Sequence, residues 1–246
     1  MGDGGEERVV ITPRRSPGEP VLAGPGLLLV NPAEAGAGIS LAQTAGWRRQ
    51  RLFHSNLWHN QAGAGWLAGP AVGSPMAVLC LEKLIALGAG PVIALGWAGG
   101  LAPYLALGDI VLPTSALSEE GTSRHYPLPE PPLPAEGLLT SLERVLATAA
   151  LPFRRGAVWT TDAPYRETMA KVEKYRQAGI CAVEMEYAAL ATVAAFRGVE
   201  LVELLLISDL VRPDYPWQPA FNRKEFRRRS RALLELLFHF IRRGEF

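Results

Sequence analysis

Short apolar runs, each stopped abruptly by small or polar residues, constrain this chain more than any other feature. They occupy residues 27–30, 66–70, 91–96, 110–112, 156–159, 180–183 and 201–207. Each is too short for a buried helix and lacks polar alternation, the pattern of a strand covered on both faces. Segments of helical character lie between them: 76–87, closed by Gly88, then 138–149, 167–178, 187–197 and the tail 224–243. Strands alternating with helices predict an α/β domain around a largely continuous central sheet. Asn31-Pro32, which stops the first run, reads as the start of a loop. Residues 8–12 read as a short edge strand, and 127–134 (five prolines) and 211–222 as loops. Residues 1–26 are expected to form a loose arm and 27–246 a single domain.

With 246 residues, 48% of them hydrophobic and 20% charged, the chain can bury a sizeable core, and wholesale disorder is excluded. Twenty-five Lys and Arg against 24 Asp and Glu leave a net charge of +1. That balance offers no field for a nucleic acid or an anionic membrane. No apolar run approaches the ~18 residues of a membrane span. The acidic, Gly-rich start lacks the apolar stretch of a secretory signal. Cys80 and Cys181 lie in apolar runs, and no ligand spacing joins them to the four histidines, so no metal is expected. A reducing cytoplasm is the expected compartment. The tail from Arg223 to Arg243 holds eight Lys or Arg and two Glu beside an apolar face of Phe226, Leu233, Leu234, Leu237, Phe238 and Ile241. It reads as a terminal helix packed on its own domain, with a solvated basic side.

Ligands of such sheets bind where strands end. Glu184-Met185-Glu186 follows one strand; in extended backbone its two carboxylates share a face and could accept from a sugar diol, and in a helix they would only favour the first turn. Ser208-Asp209 follows another, as a partly desolvated acid or as a cap. Gly96-Trp97-Ala98-Gly99-Gly100 permits close backbone approach to a ligand or makes a tight turn. Arg124 and His125 sit in a polar loop that holds an anionic or polar group or, as the commoner case, is simply solvated.

Taken in order, these pieces resemble the nucleoside phosphorylase-I family: purine nucleoside phosphorylases, uridine phosphorylases and methylthioadenosine-type nucleosidases. The matching segments are Gly73-Ser74-Pro75, residues 93–101, 107–114, 120–126, 159–165, 183–189 and Ile207-Ser208-Asp209. The resemblance implies a three-layer α/β/α fold with a mixed, partly closed central sheet, phosphorylase/hydrolase-like. It implies cleavage of the N-glycosidic bond of a nucleoside, with no cofactor and with phosphate as a candidate co-substrate. The expected assembly is a homodimer, or a hexamer built as a trimer of dimers. Glu186 matches the residue that binds the ribose hydroxyls, with Met185 packing on the sugar and Glu184 nearby. Asp209 matches the acid at N7 of a departing purine, and Tyr165, Gly99 and Ser208 the surroundings of the base. Gly96, Trp97 and Arg51 mark the anion or water site.

Two departures stand out. Phosphorolytic members carry arginines where this chain has Ala94 and a Val30-Asn31-Pro32-Ala33-Glu34 segment. Glu34 matches, within about one position, the acid that activates water in the nucleosidase branch. Neither Ala nor Glu supplies cationic donors for phosphate. Hydrolysis through Glu34 is one alternative, and a nucleoside- or base-binding protein with little catalysis is another.

Overall fold

In β1 (Gly26–Leu29) the side chains of Leu27, Leu28 and Leu29 are all fully buried, since helices cover both faces of the sheet. The computed structural model describes residues 9–61, 65–212 and 216–244. After β1 come α1 (Pro32–Thr44), β2 (Arg48–Leu52), β3 (Ser55–His59), β4 (Trp66–Gly69), α2 (Ser74–Ala86), β5 (Val92–Gly100), β6 (Ile110–Ser118) and α3 (Glu136–Thr148). Then follow β7 (Phe153–Thr160), α4 (Met169–Gln177), β8 (Ile180–Glu184), α5 (Tyr187–Arg197), β9 (Leu201–Leu210), β10 (Gln218–Pro219) and α6 (Lys224–Arg243). The described strands form one mixed sheet in the order β10-β9-β6-β7-β8-β5-β1-β4-β3-β2. β5 also pairs with β9, so β5, β9, β6, β7 and β8 close into a ring and β1 to β4 extend from it. This is the three-layer α/β/α arrangement with a partly closed sheet.

Successive strand residues serve opposite layers. Leu28, Val92 and Ala94 pack with α2 and α5, whereas Leu27, Leu29, Ile93 and Leu95 pack with α1, α3 and α6. In α6 the residues Phe226, Leu233, Leu234, Leu237, Phe238 and Ile241 are buried, as the spacing predicts. Among the described residues no helix is long and apolar enough to cross a membrane.

Two local expectations need correction, and one hairpin had no counterpart among the expectations. Asn31-Pro32 opens a helix instead of a loop. The Asn31 side chain accepts from the Ala33 amide at 2.9 Å, and Pro32 supplies a first-turn φ at no hydrogen-bond cost. Residues 48–59 form the hairpin β2–β3, turning at Phe53, whose φ is 54°. Residues 9–12 join no strand and are largely exposed; residues 1–8 lie outside the described residues. Part of the expected arm is tied down: the Leu22 amide donates to Leu87 O at 2.8 Å, and Lys83 pairs with Glu19 at 2.6 Å.

The ring brings three strand ends together at one residue. Gly99 on β5 is in register with Val183 on β8 and Asp209 on β9, with a bulge between Ala98 and Gly99. A Cβ there would stand 2.7 Å from Val211 Cγ2 and 3.1 Å from Val183 Cγ1, so only glycine allows this convergence.

Candidate functional site

A cavity of about 430 Å³ opens over that convergence, of a size to hold a nucleoside. Its walls include Trp97 to Gly99 from β5, Val183 to Met185 from the end of β8, and Ser208 and Asp209 from β9. Pro164, Tyr165 and Glu167 come from the turn before α4, and Trp217 from the loop before β10. A larger cleft of about 610 Å³ between α3 and α6 carries Arg144 and Arg243 but no strand-end residue.

Asp209 is held on both oxygens. Ser208 Oγ donates to Oδ1 at 2.7 Å and Trp217 Nε1 donates to Oδ2 at 2.8 Å. Tyr165 is fully exposed at the mouth, where its ring is free to cover a base. Tyr165, Gly99, Ser208, Asp209, Met185, Glu184 and Trp97 are thus brought to one cavity.

The extended geometry expected for Glu184-Met185-Glu186 ends at Glu184. Glu186 has φ −134° and ψ −36° and starts α5. Glu184 then turns back on its own helix: Oε2 accepts from the amides of Glu186 at 2.6 Å and Tyr187 at 2.7 Å, and the Thr160 hydroxyl donates to Oε1. Glu186 accepts from the Gly73 amide at 2.5 Å, just before α2, and Ser74 Oγ donates to Met185 O at 2.7 Å. Glu186 therefore lies behind the cavity wall. Burial raises both carboxyls above the ordinary range, Glu186 further through the charge of Glu184, although the donors of Thr160, Tyr187 and Glu186 pull Glu184 back.

Three other expected residues do not line the cavity. Glu34 is buried on α1, where Trp97 Nε1 donates to Oε1 at 2.5 Å and Ser230 on α6 donates to the same oxygen. Its Oε2 has no described partner, and burial raises its pKa against those two donors. Trp97 lines the cavity on one side, reaches Glu34 on the other, and packs edge-on against Phe226 at 5.1 Å. Gly96 sits within the sheet, where a Cβ would meet Val30 Cγ2 at 2.9 Å. Arg51 is exposed on β2, with its Nε donating to Phe53 O at 3.2 Å. Arg124 and His125 are exposed as well and do not line the cavity.

Sequence reasoning missed Glu167, Trp217 and Glu203. Glu167 reads as the start of a charged helix, but α4 begins at Met169 with Thr168 as its cap, which leaves Glu167 to the cavity. Trp217 gave no signal beyond a Pro-Trp loop. Glu203 lies inside an apolar run, is 1% exposed, and neither of its oxygens has a hydrogen-bond partner among the described residues. Burial, then the charges of Glu184 and Glu186, raise its pKa well above the ordinary range. The folded chain keeps this proton where the unfolded chain has lost it, so stability falls as pH rises from about 4.5 through the folded value. Replacing Glu203 by leucine removes a buried group with no partner and should stabilise the fold by about 2 kcal/mol. Thermal melts should show a higher Tm than the parent at pH 8, with a smaller gap at pH 5; an equal or lower Tm at pH 8 would refute this reading.

No cluster of three or more His, Cys, Asp or Glu suited to a metal occurs among the described residues. The family model described as Phosphorylase superfamily matches residues 37–242. The chain belongs to the phosphorylase superfamily. Within that superfamily it is 30% identical over 134 residues to a guanosine phosphorylase of Halorubrum lacusprofundi, covering 54% of this chain and 56% of that one. It is 31% identical over 144 residues to a DeoD-type purine nucleoside phosphorylase of an Exiguobacterium species, covering 57% and 61%. The chain thus spans less than two thirds of the length of these curated relatives. Its fold superposes on an AMP nucleosidase from Bacteroides thetaiotaomicron with a TM-score of 0.71 at 26% identity, over 91% of each chain. It also superposes on the 5′-methylthioadenosine/S-adenosyl homocysteine nucleosidase of Campylobacter jejuni, with a TM-score of 0.74 at 18% identity, over 89% of this chain and 99% of that one.

Proposed function

We propose that this cavity cleaves the N-glycosidic bond of a purine nucleoside, with water as acceptor of the ribosyl group. The observation that carries the proposal is the meeting of Asp209, Glu167, Glu184 and Met185 in a cavity whose described lining contains no Lys or Arg. As the bond from C1′ to the base nitrogen breaks, its electron pair leaves with the base and positive charge builds on the sugar. A carboxyl group supplies a proton or hydrogen bond at N7, and the negative side chains favour the developing cation. Water adds to C1′ and releases a proton, giving ribose and free base. Met185 packs against the sugar, and Glu186 reaches its hydroxyls once the Gly73 contact yields. A phosphate dianion, by contrast, needs cationic donors that the described lining does not offer.

Glu34 is not the base in this proposal, because it lies outside the cavity lining, held behind the wall by Trp97 and Ser230. Glu34→Gln should leave kcat within about threefold of the parent, whereas an activating base would contribute 10²-fold or more. Initial rates at saturating nucleoside decide between them. Phosphorolysis is the second reading, favoured by the names of the curated relatives. It would need cations from another copy, such as Arg51 on the exposed hairpin lent across a homodimer or a trimer of dimers. Buried, unpaired Cys80 and Cys181 suit a reducing cytoplasm. A panel of purine and pyrimidine nucleosides, followed by base release, tests the proposal; release from purine nucleosides supports it, and a chain that cleaves none of them refutes it.

A further inference from the structure

Glu167 has a position that neither helix capping nor ion pairing explains. It ends the short turn Pro164–Arg166 and precedes Thr168, whose hydroxyl takes over the capping of α4 by accepting from the Lys171 amide at 3.3 Å. No described residue hydrogen-bonds the Glu167 carboxyl group, and it lines the same cavity as Asp209. Asp209 is an acceptor on both oxygens, from Ser208 and Trp217. Glu184, the other acid of the lining, has its oxygens engaged by Thr160 and two backbone amides. Tyr165 and Arg166, on the same turn as Glu167, are exposed to solvent.

Two carboxyl groups lining one partly dry cavity do not both ionise readily. Burial and the charge of Asp209 push Glu167 up to about 7. Toward neutral pH Glu167 therefore retains a proton that it can donate, while Asp209, accepting from Ser208 and Trp217, presents acceptor oxygens.

We propose that Glu167 and Asp209 together read the outer edge of the base and select a 6-aminopurine over a 6-oxopurine. This inference rests on the nucleoside-cleaving role proposed above. Adenine presents on that edge an acceptor, N7, and a donor, its 6-amino group; a 6-oxopurine presents two acceptors, N7 and O6. A pair with one proton offers one donor and one acceptor, which matches adenine on both atoms. Facing a 6-oxopurine, the same pair sets the acceptor oxygens of Asp209 against the acceptor O6. Above pH 7 Glu167 loses its proton and with it the donor to N7.

The test compares adenosine with inosine as substrates from pH 5.5 to 9. The parent should favour adenosine in kcat/KM by about 10- to 100-fold, and activity on adenosine should fall above pH 7. Glu167→Ala should bring the two substrates within about threefold of each other. Glu167→Gln, whose amide still offers a donor and an acceptor, should keep the preference and lose the fall above pH 7. Equal use of both substrates by the parent, a preference that survives in Glu167→Ala, or an unchanged alkaline fall in Glu167→Gln would overturn the inference. Calorimetry with free adenine and hypoxanthine, run on the same three proteins, separates it from the catalytic proposal. Tighter adenine binding that disappears in Glu167→Ala supports the pair even if no nucleoside is cleaved; equal affinity for the two bases overturns it even if nucleosides are cleaved.

Discussion

Replacing Asp209 by asparagine should lower kcat on a purine nucleoside by about 10²- to 10³-fold while moving KM by less than about threefold. Asparagine keeps the size of the side chain and an acceptor for Ser208 or Trp217, so the wall of the cavity stays in place. It offers the leaving base no second acceptor oxygen and does not help to hold the proton on Glu167. The loss should therefore appear in the transition state, where charge on the base is greatest, and little in ground-state binding. The convergence of β5, β8 and β9 at Gly99 fixes Asp209 beside the site, with Trp217 and Ser208 setting the direction of its oxygens. Steady-state kinetics on the parent and Asp209→Asn, with folding compared by thermal melts, decide the matter. A kcat within threefold of the parent would remove Asp209 from the chemistry.

The second large effect falls on stability. Glu184→Ala should cost about 4 kcal/mol, seen as a Tm lower by roughly 10 °C. The Glu184 carboxylate gathers the Thr160 hydroxyl and the amides of Glu186 and Tyr187, and Thr160 in turn accepts from the Ala188 amide at 3.0 Å. Removing it leaves donors at the start of α5 buried without partners. The same change should abolish turnover, since Met185 and Glu186 are placed by that helix start. Glu184→Gln should lie between the two, because an amide accepts on only one side. A melt of Glu184→Ala within 2 °C of the parent would contradict the assigned role.

How much of this was legible in the sequence follows from what each residue packs against. The continuous apolar runs gave β1, β5, β8 and β9 because strands buried on both faces leave no other pattern. The α6 face was legible because its apolar spacing is strong. Helix α1 was not: it buries Ala35, Gly38 and Ala42, small residues that make close packing possible but give little hydrophobic contrast. Strand β2 is Arg48-Arg49-Gln50-Arg51-Leu52 at the sheet edge, where solvent tolerates charge and the alternating signal is lost. At the site, the acids at strand ends were legible as chemistry but not as geometry. Whether Glu186 faces the cavity depends on where β8 ends, and the capping of α5 by Glu184 decides that. Glu167 depended in the same way on one capping choice at Thr168.

The cavity as described has acids, aromatics and a thioether but no cation, and the proposed reaction follows from that contrast. The most direct test incubates the protein with adenosine, with and without inorganic phosphate, and identifies both products by chromatography. Adenine and free ribose in equal amounts, at a rate unchanged by phosphate, is the predicted result. Ribose 1-phosphate as the sugar product, or no adenine released under either condition, would contradict it.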